Sequence, residues 1–333
     1  MSRHVFRDFD EFADSIEGID GRFVPTARSD ADWWIEIAQV RSLALQQLQI
    51  GGPATFAGGG EPDTLTIGIP MSDPQGMRID GHEMTEDSFL CLRTDQPFTF
   101  AGLDVTRWGG ITMPTYHAPI APALGEPGMA AAAPRTRANV AHIVRMRELV
   151  KRVCSVESSQ ALQDPVAANA AEQEVVVAVA QAVEHIDTSD ARHIGRPQFS
   201  RARVIGRTLA LIEANEGRPL LIRDLCEATG VSERTLRNIF QEYFGVGPMR
   251  LLKVRQLREI RAALTEADSA HDTVARVAAA FGIWDFSLFA RNYRALYGEA
   301  PSATLRRPPV AREGRGNLSW IRYAALTFID GNV

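Results

Sequence analysis

The chain has 333 residues, of which 45% are hydrophobic, and a formal net charge of −5. This length accommodates two domains with separate cores. No uninterrupted apolar run approaches the ~18 residues of a membrane span, and residues 1–20 are too acidic for a signal peptide, so we expect a cytoplasmic protein without a membrane segment.

Charge is distributed unevenly along the chain. Residues 1–130 contain 8 Arg and no Lys against 19 Asp and Glu, a balance of −11, whereas residues 196–307 contain 18 Arg and Lys against 12 acidic residues, a balance of +6. A basic segment can bind a phosphate backbone, because each neutralised phosphate releases condensed counterions. The basic segment is therefore a candidate for nucleic-acid binding, although a solvated charged surface would give the same balance.

Residues 1–118 are predicted to form a β domain. Short strand-like segments are separated by turn signals rich in Gly, Pro and Asp; they span 34–38, 43–46, 64–67, 89–92 and 98–100. Strands at this spacing are typical of a β-sandwich or a cupin-like barrel. Its aromatic and Arg residues either pack in the core or line a pocket for a small-molecule effector; the pocket candidates are Trp33, Trp34, Arg41, Arg93, Phe98, Phe100 and Trp108.

The middle of the chain is predicted to contain a linker and then helices. Residues 119–136 are rich in Ala, Pro and Gly, which indicates a linker. Within residues 137–195, apolar residues recur at helical spacing in 139–154 and 172–186. These apolar stripes can pack on their own domain or on a second subunit, so the segment is a candidate dimerisation region and we expect a homodimer.

Residues 196–307 are predicted to be all-helical and contain one pattern twice. The same offsets are occupied by Ile222, Leu225, Ala228, Gly230 and Val231 and then by Val274, Val277, Ala280, Gly282 and Ile283. Each copy leads into a helix that is followed by Gly-x-x-Pro. The duplication predicts two helix-turn-helix units, which contact two successive stretches of a DNA groove.

The first copy has a polar helix face suited to reading bases. Ser232 is predicted to cap a helix that starts at Glu233. Apolar residues occupy one face, so Arg and amide side chains share the other. Arg can donate two hydrogen bonds to guanine, and Asn or Gln can pair with adenine. The DNA-contact candidates here are Ser232, Glu233, Arg234, Arg237, Asn238 and Gln241.

A long helix over 248–264 is predicted to join the copies rigidly, and the second copy has a different chemistry. Its DNA-contact candidates are Trp284, Asp285, Phe286, Ser287, Arg291 and Arg294. Phe286 lies three residues before Phe289 of the apolar stripe, which favours core packing. The alternative for Phe286 is contact with a thymine methyl group.

These motifs resemble the AraC/XylS family of transcriptional regulators over residues 200–307. The most specific stretch combines the Gly282-Ile283 turn with Ser287, Phe289, Arg291, Tyr293, Arg294, Gly298 and Pro301. Ile283 and Tyr293 stand where Phe is usual in the family. The resemblance implies a C-terminal domain that binds double-stranded promoter DNA and acts on RNA polymerase. It also implies a front domain that senses a signal or dimerises; this domain is loosely similar to the sensor domains of ethanolamine-utilisation regulators.

The predicted fold class is therefore multidomain α+β. Functions other than transcriptional regulation have less support in the sequence. A cupin-type metal enzyme fused to a DNA-binding domain would need clustered ligands, but His82 and His117 each lack a second His nearby, and Cys91, Cys154 and Cys226 are scattered. We expect no catalytic residue, metal or cofactor, and no enzyme activity. A further alternative is a front domain that only dimerises or binds a protein. Residues 308–333 are too apolar for a plain disordered end, and no role is predicted for them.

Overall fold

The computed structural model describes residues 3–6, 9–94, 96–117, 135–184, 186, 196–215 and 218–307. The apolar tail 308–333 and most of the predicted linker 119–136 lie outside this part of the chain. None of the helices that it describes combines the length and apolarity needed to cross a bilayer.

The N-terminal part of the chain forms two antiparallel sheets. Their strands are β1 (His4–Phe6), β2 (Ile19–Pro25), β3 (Trp33–Val40), β4 (Leu43–Ile50), β5 (Ala54–Gly60), β6 (Thr64–Pro70), β7 (Met77–Ile79), β8 (His82–Glu83), β9 (Ser88–Leu92), β10 (Pro97–Gly102), β11 (Thr106–Pro114) and β12 (Arg135–Arg137). A seven-stranded sheet has the order β1-β3-β4-β11-β6-β9-β12, and a five-stranded sheet has the order β2-β5-β10-β7-β8. The five predicted strand segments lie within β3, β4, β6, β9 and β10.

Strand β12 corrects the predicted boundary of the linker. It occupies the C-terminal end of that segment and pairs with β9, with Thr136 opposite Phe89. The pairing partner is 47 positions away along the chain, so local composition carries no sign of it.

Helices follow in the remainder of the described chain. They are α1 (Phe9–Asp14), α2 (Val140–Val153), α3 (Val156–Ala161), α4 (Pro165–Glu184), α5 (Arg196–Ala214), α6 (Ile222–Thr229), α7 (Glu233–Phe244), α8 (Pro248–Glu266), α9 (Val274–Ala280), α10 (Phe286–Tyr297) and α11 (Pro301–Leu305). Helix α4 begins earlier than the predicted 172, because Pro is tolerated in a first helical turn and the Asp164 side chain accepts a hydrogen bond from the backbone N–H of Val166.

The two sheets pack face to face around an aromatic core. The Phe56 and Phe98 rings of the five-stranded sheet have centroids 4.7 Å apart. Phe100 meets Trp108 of the seven-stranded sheet edge to face at 5.5 Å. Alternate side chains of a strand point to opposite faces of its sheet, so each sheet also has an outer face that must be covered.

Helices α2 and α4 cover the outer face of the seven-stranded sheet. Ile143 and Met146 of α2 and Val175 and Val179 of α4 are fully buried in one cluster with residues of β4, β6 and β11. The apolar stripes of the candidate dimerisation region are thus used within their own domain. The Glu172 carboxylate of α4 also accepts a hydrogen bond from the Ser42 hydroxyl at 2.6 Å, at the β3–β4 turn.

Two pairs of helices have tight turns that each contain a left-handed glycine. Gly230, at φ 71°, ends α6, and α7 begins after Ser232; we call α6 and α7 the first helix pair. Gly282, at φ 75°, lies in the turn between α9 and α10, which we call the second helix pair. Glycine adopts this left-handed backbone without the steric cost of a Cβ.

The first helix pair packs against the outer face of the five-stranded sheet. Val24 of β2 and Ala57 of β5 are buried in the same cluster as Phe240 and Tyr243 of α7. Helix α8 reaches the end of the edge strand β2, where the Arg250 guanidinium donates to the carbonyl oxygen of Thr26, the residue that follows β2, at 2.7 Å. The first helix pair therefore shares a buried cluster with the outer face of the five-stranded sheet, separate from the aromatic core between the two sheets.

Candidate nucleic-acid interface

Helix α7 is amphipathic, with its polar face exposed to solvent. The Ser232 hydroxyl accepts a hydrogen bond from the Thr235 backbone N–H at 3.2 Å and caps the helix as predicted. The buried stripe consists of Leu236, Ile239, Phe240, Tyr243 and Phe244. The sequence-predicted contact residues of this helix all lie on the surface; they are Ser232, Glu233, Arg234, Arg237, Asn238 and Gln241.

The polar side chains of α7 differ in how many donors they leave free. Arg237 forms an exposed ion pair with Glu233 at 2.5 Å, and the Gln241 amide donates to the Gly245 carbonyl oxygen at 2.9 Å. Within the described residues, the side chains of Arg234 and Asn238 have neither an ion-pair nor a hydrogen-bond partner. Exposed ion pairs such as Arg237–Glu233 contribute little to stability. The polar side chains of this face can therefore change partners and donate hydrogen bonds to a ligand.

Helix α10 presents a more apolar face. The Asp285 carboxylate accepts a hydrogen bond from the Leu288 backbone N–H at 2.9 Å and caps the helix. Trp284 is 79% exposed and Phe286 is 40% exposed, so core packing, which the spacing favoured for Phe286, is wrong. Phe286 is the first residue of α10, and the buried stripe begins only at Phe289. Ser287, Arg291 and Arg294 are also exposed.

Helix α8 connects the two pairs and belongs to both of their cores. Its N-terminal half contributes Leu251 and Val254 to the cluster of the first pair. Its C-terminal half contributes Leu257 and Ile260 to the cluster of the second pair. Its 19 residues give a length of about 28 Å at 1.5 Å per residue. A single helix, with one side buried in both clusters, thus connects the two pairs rigidly.

A second basic surface, which the sequence patterns did not predict, lies beside α7. Helix α5 places Arg201, Arg203 and Arg207 along a cleft that Thr235 and Asn238 of α7 also line. The signal for it was the i, i+4 spacing of Arg203 and Arg207, which puts both on one helix face.

The candidate effector pocket is a small cavity between the two sheets. It has a volume of about 70 Å³, and its lining includes Phe98, Phe100 and Trp108 from the predicted set. The Trp108 Nε1 is buried and has no hydrogen-bond partner within the described part of the chain. The remaining lining is almost entirely apolar, with Gln46 and Thr66 among its few polar side chains.

The other four predicted pocket residues do not line this cavity. Trp33 packs against Phe9 at 4.8 Å. Trp34 points to the opposite face of β3, where the Arg3 guanidinium lies 3.9 Å from its ring centroid. Arg41 forms an ion pair with Glu172 outside the sandwich at 2.9 Å, and Arg93 follows the end of β9. For Trp34 the reason is the alternation of strand side chains, which sends it to the face of β3 opposite to Trp33, whereas Arg41 and Arg93 lie beyond the ends of their strands.

Nucleophilic and metal-binding chemistry find little support in the described residues. Burial raises the pKa of the Cys91 and Cys154 thiols to about 12, so neither is a thiolate at neutral pH. Nowhere in the described ranges do three or more His, Cys, Asp or Glu side chains group as metal ligands would. His82 is exposed, and His117 lies 4.0 Å from Glu172.

Comparisons with known proteins match the helical part of the chain. A helix-turn-helix domain family matches residues 225–307. The XylDLEGF operon transcriptional activator of Pseudomonas putida is 33% identical over 112 residues, which are 34% of this chain and 33% of that protein, so the similarity spans about a third of that relative. The XylDLEGF operon transcriptional activator 2 of the same organism is 32% identical over 111 residues, which are 33% of this chain and 67% of that protein.

A similarity to a solved structure extends over more of the chain. The AraC-like transcriptional activator CuxR has 13% sequence identity and a TM-score of 0.37, and the superposition covers 78% of this chain and 94% of that one.

Proposed function

Because the chain belongs to the AraC/XylS family of DNA-binding transcriptional regulators, we propose that its two helix pairs are helix-turn-helix units that bind successive major-groove segments of promoter DNA. The observation that carries this proposal is the exposed face of α7, where Arg234 and Asn238 have free donors beside Arg237 and Gln241. Arg reads guanine and Asn or Gln reads adenine through paired hydrogen bonds.

The second helix pair binds by a different chemistry. Its exposed Trp284 and Phe286 offer apolar surface to thymine methyl groups, and Arg291 and Arg294 offer charge to bases or phosphates. Successive major-groove segments on one side of DNA are about 34 Å apart. A connector of about 28 Å that is buried in both cores suits this spacing.

The full-length chain and a pool of random-sequence duplexes test this function. Selection by the wild-type protein is expected to enrich a bipartite site whose halves are about one helical turn apart. A variant with Arg234, Arg237 and Asn238 replaced by Ala is expected to lose enrichment of one half only. The proposal fails if the wild-type protein enriches no sequence.

We also propose that the sandwich cavity binds a small, mainly apolar effector that carries a hydrogen-bond acceptor for Trp108 Nε1. An unpaired buried N–H is costly, so an acceptor there gains binding energy. The present volume of about 70 Å³ is well below the roughly 300 Å³ of the smallest typical ligand sites. Binding of a metabolite would therefore push the two sheets apart.

The five-stranded sheet provides a short path from that cavity to α7. Ile79 of β7 lines the cavity, whereas its neighbour Arg78 donates from Nη1 to the Gln241 carbonyl oxygen at 3.2 Å. Gly81, in the β7–β8 turn, lies against Glu242 and Tyr243 of α7. Movement of β7 therefore acts directly on the helix that reads DNA.

A metabolite screen by thermal stabilisation tests the effector proposal, since a ligand of the folded state raises the melting temperature. The stabilisation is expected to weaken in Trp108→Phe, which keeps an aromatic side chain and removes the N–H, and to persist in the control Trp34→Phe. If no metabolite stabilises the protein, a front domain that only dimerises or binds a protein becomes the better explanation.

We propose a homodimer on the outer surfaces of α2 and α4, where Val140, Val144 and Val177 are between 41% and 47% exposed. Sedimentation of the wild-type chain at micromolar concentration is expected to show a dimer that Val144→Glu dissociates, and a wild-type monomer would contradict it.

Action on RNA polymerase is proposed from family membership.

A further inference from the structure

A concave basic cleft lies between α5 and α7, outside the face of α7 that we propose reads bases. Its volume is about 420 Å³. One wall is formed by Arg201, Arg203 and Arg207 of α5, and the other by the α6–α7 turn and by one flank of α7, which contributes Thr235, Asn238 and Glu242. The cleft and the proposed reading face therefore meet at Asn238.

The charges in this cleft do not cancel. Glu242 is the acidic residue of the lining, and its carboxylate accepts two hydrogen bonds from Arg201, at 2.7 and 2.9 Å. Arg203 and Arg207 are exposed, and neither has an ion-pair or hydrogen-bond partner among the residues described. Two uncompensated guanidinium groups consequently face the cleft.

Helix α5 holds these two arginines in a fixed position. Ile205 and Leu209 are fully buried in the same cluster as Leu236 and Ile239 of α7. The Thr208 hydroxyl donates to the Val204 carbonyl oxygen at 2.8 Å within α5. The backbones that carry Arg203 and Arg207 are therefore packed rigidly against the reading helix, and only the side chains need to move.

The width of a DNA groove brings a phosphate backbone to this cleft when α7 enters the groove. The major groove is about 12 Å wide and a helix with its side chains is about 10–12 Å in diameter. The two strands must then run close along the two flanks of the helix. Thr235, Asn238 and Glu242 form the flank of α7 that faces α5, so one of the strands follows the cleft.

We propose that the cleft between α5 and α7 binds backbone phosphates of one DNA strand through Arg203 and Arg207. Guanidinium groups bind phosphate oxygens in bidentate geometry. Such contacts fix the register of a reading helix and carry no sequence information of their own. This inference rests on the proposed function and adds residues of α5 to its binding surface.

The salt dependence of DNA binding by the full chain tests this site. The logarithm of the binding constant falls with the logarithm of salt concentration, with a slope of about 0.9 per neutralised phosphate in B-DNA. Arg203→Gln and Arg207→Gln are each expected to reduce the slope by about 0.9 and the double variant by about twice that. The selected sequence is expected to stay unchanged.

Matched variants separate a phosphate contact from a loss of fold or of net charge. Arg145→Gln, on the exposed surface of α2, removes the same charge far from the helix pairs and is expected to leave the slope unchanged. Arg203→Lys and Arg207→Lys keep the charge and are expected to keep the slope. An unchanged slope in the Gln variants, or an altered preferred sequence, would overturn the proposal.

Two further outcomes identify the source of the phosphate. Inorganic phosphate alone is expected to leave the melting temperature unchanged, whereas a duplex is expected to raise it. A phosphate-dependent rise that Arg203→Gln and Arg207→Gln abolish would assign the cleft to a free phosphorylated molecule and overturn the DNA contact. If the wild-type chain binds DNA with full sequence preference but the Gln variants have the same salt dependence as the wild-type chain, the phosphate contact fails and the proposed function stands.

Discussion

The two helix pairs share one local pattern, but they are held in different ways. The first pair shares its core with the sandwich, through Val24 and Ala57. Among the described residues, the cluster of the second pair contains only side chains of α8 to α11 and their connections, such as Ile260, Phe289 and Tyr293. A repeated motif thus gives one unit positioned by the front domain and one positioned mainly by the connector α8.

The chemistry of the two pairs follows the same division. The exposed face of α7 is polar, whereas the exposed start of α10 is aromatic. The front domain contacts the hydrogen-bonding unit through the shared cluster and through Arg78. It contacts the apolar unit more sparsely, where Leu296 of α10 packs on that cluster and Gly298 at the end of α10 lies beside Arg28.

The largest expected difference between the pairs is in stability. Phe240→Ala and Phe289→Ala each remove a buried ring and are expected to cost about 3–5 kcal/mol of unfolding free energy. Because Phe240 lies in the shared core, its loss should destabilise the sandwich and the first pair together. Phe289→Ala should lower only the protection of α9 and α10 in hydrogen exchange. If both variants destabilised the sandwich equally, the two helix pairs would not differ in how they are coupled to it.

A second test uses the pH dependence of stability at the contact between the sandwich and α7. Burial raises the pKa of Asp80 from 3.8 to about 6, although its carboxylate accepts hydrogen bonds from the backbone and hydroxyl of Thr99. Tyr243 of α7 lies near Asp80: burial raises the pKa of the Tyr243 phenol, and the Asp80 carboxylate raises it further.

The Asp80 carboxyl group therefore stays protonated to higher pH in the folded chain than in the unfolded chain. The stabilisation is complete below the unfolded pKa of 3.8 and is lost as pH rises to about 6, for a total of up to about 3 kcal/mol. Asp80→Asn is expected to remove this pH dependence in denaturant titrations, and Asp104→Asn on an exposed loop is expected to retain it. If Asp80→Asn left the pH dependence of stability unchanged, the Asp80 carboxyl group would be exposed to solvent and not buried.

The next expected effect concerns DNA recognition. Arg237→Ala is expected to weaken binding by about 1–3 kcal/mol and to relax the preference at one base pair. Trp284→Ala, in the second pair, is expected to cost less and to alter preference only where a thymine methyl is in contact. Competition binding against single-base variants of the selected duplex measures both. Loss of binding to all duplexes alike in Arg237→Ala would make that residue a phosphate contact.

The smallest expected effects come from the helix caps. Ser232→Ala and Asp285→Ala each remove a side-chain acceptor for a backbone N–H in the first turn of α7 or α10, at a cost of about 1 kcal/mol. Hydrogen exchange should report the first loss in α7 and in the adjoining sheet, and the second in α10 alone. Spread of the second effect into the sandwich would mean that the two pairs are more tightly coupled than their cores suggest.

Local signals predicted the helical part of the chain well. The starts of α7 and α8 agree with prediction, because a capping Ser232 and Pro248 act within a few residues. The polar face of α7 followed from helical periodicity in the same way.

Long-range packing accounts for what the sequence did not reveal. Local patterns do not specify that β2 and β5 lie beneath α7, that Trp34 turns away from the cavity, or that Arg203 flanks the reading helix. Phe286 shows the same limit, because helical spacing gives the face of a residue but not whether another element covers it. Sheet order and domain contacts join residues that are distant in the chain.

The hydrogen bonds from α8 to β2 have a consequence for the front domain when it is isolated. Strand β2 is at the edge of the five-stranded sheet, and Arg250 and Arg258 donate to the carbonyl oxygens of Thr26 and Phe23 along that edge. An uncovered edge strand is a template for pairing with another chain. Expressed without its C-terminal helices, the sandwich would expose this edge together with Val24 and Ala57, and intermolecular strand addition and aggregation are expected.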